Sequence, residues 1–266
     1  MLNASIVLYK HKPSEIAPLV AILRKSEVIS QVFLIDNSPI ENTDFNMLNA
    51  HYHFTGKNSG YGTAHNIAIR QTIEQSIPYH LVLNPDIAFK PEILSEIEEF
   101  MNINSDIGLL MPKILYPNEE NQYLCKLIPT PFDLIFRRFL PKSWNEKRME
   151  QFELRSSGYN RMIEVPYLSG CFMFLRTDTL RQTGLFDERF FMYPEDIDLT
   201  RRIHRQYRTV FYPDVSIIHN HAQSSYVSIK MLFIQITNMI AYFNKWGWIF
   251  DNERKIVNRE TLKQFK

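Results

Sequence analysis

Leu81-Val82-Leu83-Asn84-Pro85-Asp86 is a short apolar run ended by a proline turn that carries an acid. The three apolar residues read as a buried strand, and the proline marks its end because it offers no N–H to a ladder. Working back from this point, three more strand signals precede it: Ser5 to Tyr9, Val32 to Ile35 with its turn Asp36-Asn37-Ser38-Pro39, and the weaker Tyr52-His53-Phe54. Helical spacing separates them, in Ile16, Leu19, Val20 and Leu23 and again in Ala64, Ile67, Ala68 and Ile73. Ile93, Leu94, Ile97, Phe100 and Met101 mark a further helix beyond Asp86. Strand and helix in alternation predict an α/β fold with a mostly parallel central sheet flanked by helices. In such sheets ligands gather at the carboxyl ends of the strands, where Asp36, Asn58 and Asp86 all fall.

The second half is less regular. From about residue 116 to 163 aromatic residues (Phe132, Phe136, Phe139, Trp144) mix with cations (Arg137, Arg138, Lys142, Lys147, Arg148), which reads as an insertion or mobile acceptor-side segment. Strand character returns at Val165 to Leu175, a helix is expected from Glu195 to Gln206, and strands follow at Thr209 to Tyr212 and Val215 to His219. The division expected is a main domain over 1–225 and a C-terminal helical extension over 226–266. In the extension Met231, Phe233, Ile234, Trp246 and Trp248 stand beside Lys230 and Lys245, a pattern that suits a membrane surface, a homodimer contact or a helix covering the core.

Composition narrows the function. A formal charge of +1 over 266 residues argues against a nucleic-acid partner. Two distant cysteines, Cys125 and Cys171, offer neither a disulfide framework nor a zinc site. The N-terminus lacks the pattern of a signal peptide, and no apolar run is long enough to span a bilayer. A cytoplasmic protein, peripheral at the inner face of the membrane at most, is the expectation.

Four clusters carry chemistry. Lys57 to Asn66, with Gly60 and Gly62, sits between a strand and a helix, where amides attract anions. It is neither a dinucleotide fingerprint nor a Walker loop, and it also reads as a tight turn needing permissive residues. Asp86 on its proline turn suits Mg²⁺ or Mn²⁺, which take oxygen ligands, and equally a helix-capping acid. Glu195-Asp196-Ile197-Asp198 opens a helix, where the dipole alone favours acids. Residues two apart do not share a helix face, so if Asp196 points to the carboxyl edge of the sheet Asp198 points elsewhere; the choice is Asp196 as general base, Asp198 as a structural acid and Glu195 as an acceptor-side group. His219 ends an apolar run and reads as a structural histidine or a ligand, with His221 just beyond.

Taken in order, these blocks resemble family 2 glycosyltransferases, particularly the rhamnosyltransferase-like branch, over roughly residues 4 to 245. They are Ser5 to Tyr9, Phe33 to Ser38, Asn58 to Asn66, Leu83 to Asp86, Ser169 to Arg176, Gly184 to Phe191, Glu195 to Asp198, and Tyr212-Pro213-Asp214 leading to His219. The resemblance implies a GT-A fold and inverting transfer from a nucleoside-diphosphate sugar, dTDP-rhamnose or a UDP-hexose, to a polysaccharide or lipid-linked glycan. It implies donor contacts by Tyr9, Asp36, Asn58, Gly60, Gly62, Asn66, Asn84 and Asp86, with a divalent metal (Mn²⁺ or Mg²⁺) on Asp86 and His219. Asp196 corresponds to the acid that deprotonates the acceptor. Asn84 departs from the pattern, since many members carry Asp there. Two other readings are a sugar-nucleotidyltransferase, which wants more basic residues around the phosphates, and a degenerate glycan-binding protein of the same fold.

Overall fold

The structure, a computed structural model, describes residues 1–134, 142–220 and 229–265. The boundary expected near 225, His221, and Phe136, Arg137, Arg138 and Phe139 lie outside the described residues, as do the side chains of Lys142, Trp144 and Lys230. The first half alternates as expected: β1 (Leu2–Leu8), α1 (Pro13–Lys25), β2 (Ile29–Asp36), β3 (His51–Phe54), α2 (Tyr61–Glu74), β4 (Tyr79–Leu83), β5 (Ile87–Ala88), α3 (Ile93–Ile103) and β6 (Ile107–Leu115). The middle contains β7 (Cys125–Lys126), α4 (Pro131–Leu134), α5 (Lys142–Phe152), β8 (Ile163–Glu164) and β9 (Tyr167–Leu168). Then follow β10 (Phe172–Arg176), α6 (Thr177–Thr183), α7 (Glu195–His204), β11 (Arg208–His219), α8 (Ile229–Trp246) and α9 (Asn252–Lys263).

The main sheet runs β3-β2-β1-β4-β10-β6-β11-β5, with β8 on the flank of β11. β3, β2, β1 and β4 are parallel, and β10 is inserted antiparallel between β4 and β6. β11 runs parallel to β6, so its end at His219 returns to the same edge as the ends of β2 and β4. β4 is buried along its whole length, as a strand covered on both faces must be. α1 presents Ile16, Leu19, Val20 and Leu23 to the core, and α3 presents Ile93, Leu94, Ile97 and Met101. These are the helical faces read from the sequence.

The middle segment is irregular over much of its described length, yet parts of it enter the core. Leu127, Ile128, Phe152, Leu154, Tyr159 and Ile163 are buried. β7 pairs with β9, and the Tyr159 hydroxyl accepts from Cys125 N at 3.0 Å and donates to Glu153 O at 2.7 Å. Cys125 and Cys171 are both buried free thiols.

The C-terminal helices clamp α7. Arg201, 2% exposed, donates to both oxygens of Asp251 at 2.8 Å, and Asp251 also caps the start of α9. Asp198 is fully buried and accepts from Arg202 Nε, Lys245 Nζ and Trp246 Nε1. It holds structure, as its position two residues from Asp196 predicts. Among the described residues no helix is long and apolar enough to cross a membrane.

Candidate active site at the carboxyl edge of the sheet

β4 ends in Asn84, Pro85 and Asp86, and its neighbour β10 begins just after Gly170 and Cys171 at the same edge. Asn84 N donates to Cys171 O at 2.9 Å, which ties the two turns together. β11 delivers His219 opposite: its Nε2 lies 3.3 Å from Asp86 Oδ1. Gln122 orients the ring, donating through Nε2 to His219 O at 2.7 Å and facing Nδ1 with Oε1 at 2.9 Å. Burial alone would disfavour the charged ring, but contacts with Asp86 and Cys171 outweigh it and raise the imidazole to about 10.

Two donor atoms that share one small divalent ion at about 2.1 Å each stand roughly 3 Å apart, so the Asp86–His219 pair has the spacing of adjacent ligands. Gln122 supplies the outer contact that a ligating histidine normally has. The donor set therefore fits a divalent cation once Nε2 releases its proton as the ion binds.

The base candidate stands on the other side of Gly170. Asp196, 8% exposed, accepts from Gly170 N at 2.9 Å and from Ile197 N at 2.8 Å. A side chain at Gly170 would press on Asp196 Cβ at 3.2 Å and force it to give, so glycine favours this close approach of the amide. Burial raises the Asp196 carboxyl to about 6 against those two amides, a value suited to a base at neutral pH. Glu195 is pushed well above the ordinary carboxylate range by burial and by Asp196 beside it, and its Oε2 is buried without a hydrogen-bond partner. Tyr193, entering this turn, has φ +88°, a strained value for a non-glycine residue.

A residue absent from the sequence-based set joins the two halves. The Tyr61 hydroxyl lies 2.8 Å from Gly170 O and 3.0 Å from Asn84 Oδ1. A chain of contacts thus runs from Asp86 and His219 through Asn84, Tyr61 and Gly170 to Asp196. The signal was present in the quoted Asn58-to-Asn66 block, but a tyrosine between two glycines reads as packing until its partners are known. Gln122 carried no such signal.

The donor-side residues divide. Tyr9 is 47% exposed at the end of β1, and the Lys10 ammonium stands 5.3 Å from its ring centroid. Asn58 is exposed, and its Oδ1 accepts from Gly60 N at 3.1 Å. Asp36 is 1% exposed and accepts from Ser38 N at 2.9 Å and the Tyr52 hydroxyl at 2.8 Å, so both oxygens already serve the β2 turn. Three of the expected donor-side residues have structural duties in this fold. Asn66 pairs with the backbone of Phe186 at 2.9 and 3.1 Å and with Glu188. Gly60 is glycine because its φ is +94° and a Cβ would lie 2.4 Å from Phe191 O. Gly62 is glycine because a Cβ would meet Phe186 Cβ at 2.8 Å. All three residues seat α2 against the 186–191 turn.

Comparison with known proteins agrees with this geometry. No family model matches the chain. It is 28% identical over 191 residues to N-acetylglucosaminyl-diphospho-decaprenol L-rhamnosyltransferase of Mycobacterium tuberculosis, covering 64% of this chain and 59% of that protein. It is 27% identical over 194 residues to low-salt glycan biosynthesis hexosyltransferase Agl10 of Haloferax volcanii, covering 71% of this chain and 58% of that protein. The matches span less than two thirds of these relatives. S. aureus TarS superposes with a TM-score of 0.60 at 15% identity, over 99% of this chain and 43% of TarS. GalNAc-T7, crystallised with UDP, GalNAc and Mn²⁺, superposes with a TM-score of 0.60 at 12% identity, over 82% of this chain and 43% of that one. The fold is GT-A, and the sequence relatives are glycosyltransferases, as the resemblance implies.

Proposed function

We propose that this chain, a GT-A-fold relative of rhamnosyl- and hexosyltransferases, transfers a sugar with inversion from dTDP-rhamnose or a UDP-hexose to a hydroxyl of a polysaccharide or lipid-linked glycan. The carrying observation is the contact chain that sets a carboxylate held near pKa 6, Asp196, across Gly170 and Tyr61 from the Asp86–His219 pair. That arrangement provides a base on one side and a diphosphate-facing site on the other.

Asp86 and His219 would hold the divalent cation, Mn²⁺ or Mg²⁺, which when bound supplies charge neutralisation for the departing diphosphate. Asp196 takes the proton of the acceptor hydroxyl, and the freed oxygen forms the new bond to the anomeric carbon. The bond from that carbon to the diphosphate oxygen breaks, and the electron pair leaves with the nucleotide. One displacement inverts the anomeric centre. Glu195, kept protonated by its burial, can donate a hydrogen bond to the acceptor from its unpartnered oxygen. Tyr9 and Asn58, exposed on the β1 and β3 side, offer a ring and an amide to the nucleoside.

Incubation with each donor in the absence of acceptor tests this reading. Slow release of nucleoside diphosphate and free sugar from one donor, dependent on Mn²⁺ or Mg²⁺, is the expected result. Exchange of pyrophosphate into the donor would instead mark a nucleotidyltransferase. No turnover of any donor would favour the glycan-binding protein.

A further inference from the structure

β7 carries one charged side chain, Lys126, and the backbone around it is pinned on both sides. Cys125, Leu127 and Ile128 are buried, while Lys126 among them is half-buried. Cys125 N donates to the Tyr159 hydroxyl at 3.0 Å, and Leu127 N donates to Phe152 O at 3.0 Å. Ile128 exchanges two hydrogen bonds with the Asn258 side chain of α9, at 2.8 and 2.9 Å. Lys126 stands opposite Tyr167 in the β7–β9 pair, its ammonium 5.4 Å from the centroid of that ring. The fold therefore sets where this cation sits.

β9 leads within two residues to Gly170, and this stretch lies along the face of α7 that bears the base. Thr200, one turn beyond Asp196, donates to Leu168 O at 3.3 Å, and Gly170 N donates to Asp196 at 2.9 Å. β7 flanks β9, which brings Lys126 to the same neighbourhood. The ionisable groups facing Asp196 are Glu195 on its own helix, Tyr61 on α2, Tyr167 on β9 and Lys126, with Cys171 and Asp86 across Tyr61. Glu195 keeps its proton through burial and the neighbouring Asp196, and burial holds the Tyr61 phenol neutral. A carboxylate taken out of water takes up a proton unless hydrogen bonds or a counter-charge oppose it. The amides of Gly170 and Ile197 supply the first, and Lys126 supplies the second.

We propose that Lys126 is a positioning residue for the base: β7 mounts its ammonium as the counter-ion of Asp196, so that the carboxylate is charged before an acceptor arrives. When the acceptor hydroxyl gives up its proton to Asp196, the pair is discharged, and loss of that proton to solvent restores it. This inference rests on the proposed role of Asp196. It also gives the pinning of β7 a purpose, since a lysine on a loose strand would not hold its charge at one place.

The test is the titration of Asp196, followed by carboxyl-carbon NMR of full-length protein isotopically labelled in aspartate. The resonance is assigned by its loss in Asp196→Asn. Wild type, Lys126→Met and Lys126→Arg are compared. Lys126→Met is expected to raise the midpoint by about half a pH unit or more, and Lys126→Arg to leave it near the wild-type position. The acid limb of donor turnover should move with it, an about threefold loss of kcat/KM near pH 5.5 with little change at pH 8. An unmoved midpoint in Lys126→Met overturns the inference. So does an equal shift in Lys126→Met and Lys126→Arg, which would mean that position 126 acts through packing alone. The titration needs no substrate. Absence of donor turnover in wild type would therefore overturn the transferase reading separately, with the counter-ion still decided by the midpoint.

Discussion

Asp196 shows how a single carboxylate is fitted to its task by two backbone amides and a dry environment. Burial alone would drive its proton affinity higher, and the amides of Gly170 and Ile197 bring it back to about 6. A base works only when ionised. Transfer should therefore be flat above about pH 6 and fall roughly tenfold per pH unit below it, read from kcat/KM across pH 4.5 to 8. Asp196→Asn should bind donor nucleotide with unchanged Kd and lose transfer by about 10²-fold or more; near wild-type turnover would remove the residue from its role. In the sequence, helix geometry separates Asp196 from Asp198 but does not choose between them; the choice of Asp196 comes from the family resemblance. The sequence could not reveal Tyr61, because a hydroxyl bridging residues 23 and 109 positions away leaves no local pattern.

Among the elements, α2 and α7 carry the site, and each is seated by one tight contact. Gly60 opens α2 with φ +94° against Phe191 O, so Gly60→Ala combines backbone strain with a steric clash. A loss of about 2 kcal/mol or more is expected, seen as a melting temperature lower by several degrees. The glycines of the 57–66 loop were legible as special, but the sequence could not separate their packing role from a phosphate cradle, since a positive φ and a close ligand both call for glycine. α7 is fixed from behind by Arg201 and Asp251, both almost fully buried. Asp251→Ala leaves a buried guanidinium with only Glu253 as carboxylate partner, and should cost about 3 kcal/mol in chemical denaturation. A change under 0.5 kcal/mol would mean that the clamp is solvated. The middle segment was the least legible element, since pairing two residues of β7 with two of β9 leaves no periodicity to read.

Across the whole molecule, the alternating pattern of the first hundred residues predicted the parallel half of the sheet, most clearly at β2 and β4, whose apolar runs are bounded by turns, and least clearly at β3, whose His-Tyr-His-Phe alternates in burial. The antiparallel insertion of β10 was not legible, since strand direction depends on where the preceding connection leads. At the far end, Trp248, Ile249 and Phe250 form an apolar tip between α8 and α9, exposed by 38, 72 and 90%. If this tip meets the membrane that carries a lipid-linked acceptor, the protein should cosediment with anionic vesicles. Ile249→Ser with Phe250→Ser should then abolish pelleting without altering donor hydrolysis. Equal sedimentation with and without vesicles would exclude membrane contact.

The central claim is that the edge holding Asp86, His219 and Asp196 is a metal-assisted nucleotide-sugar site. Thermal unfolding with dTDP, UDP or GDP, each with and without Mn²⁺, tests it most directly, since a ligand bound only by the folded state raises stability. The account predicts that one nucleotide raises the melting temperature only when Mn²⁺ is present, and that Asp86→Ala abolishes the shift. No shift with any of the three at millimolar concentration, or a shift that Asp86→Ala leaves intact, would contradict it.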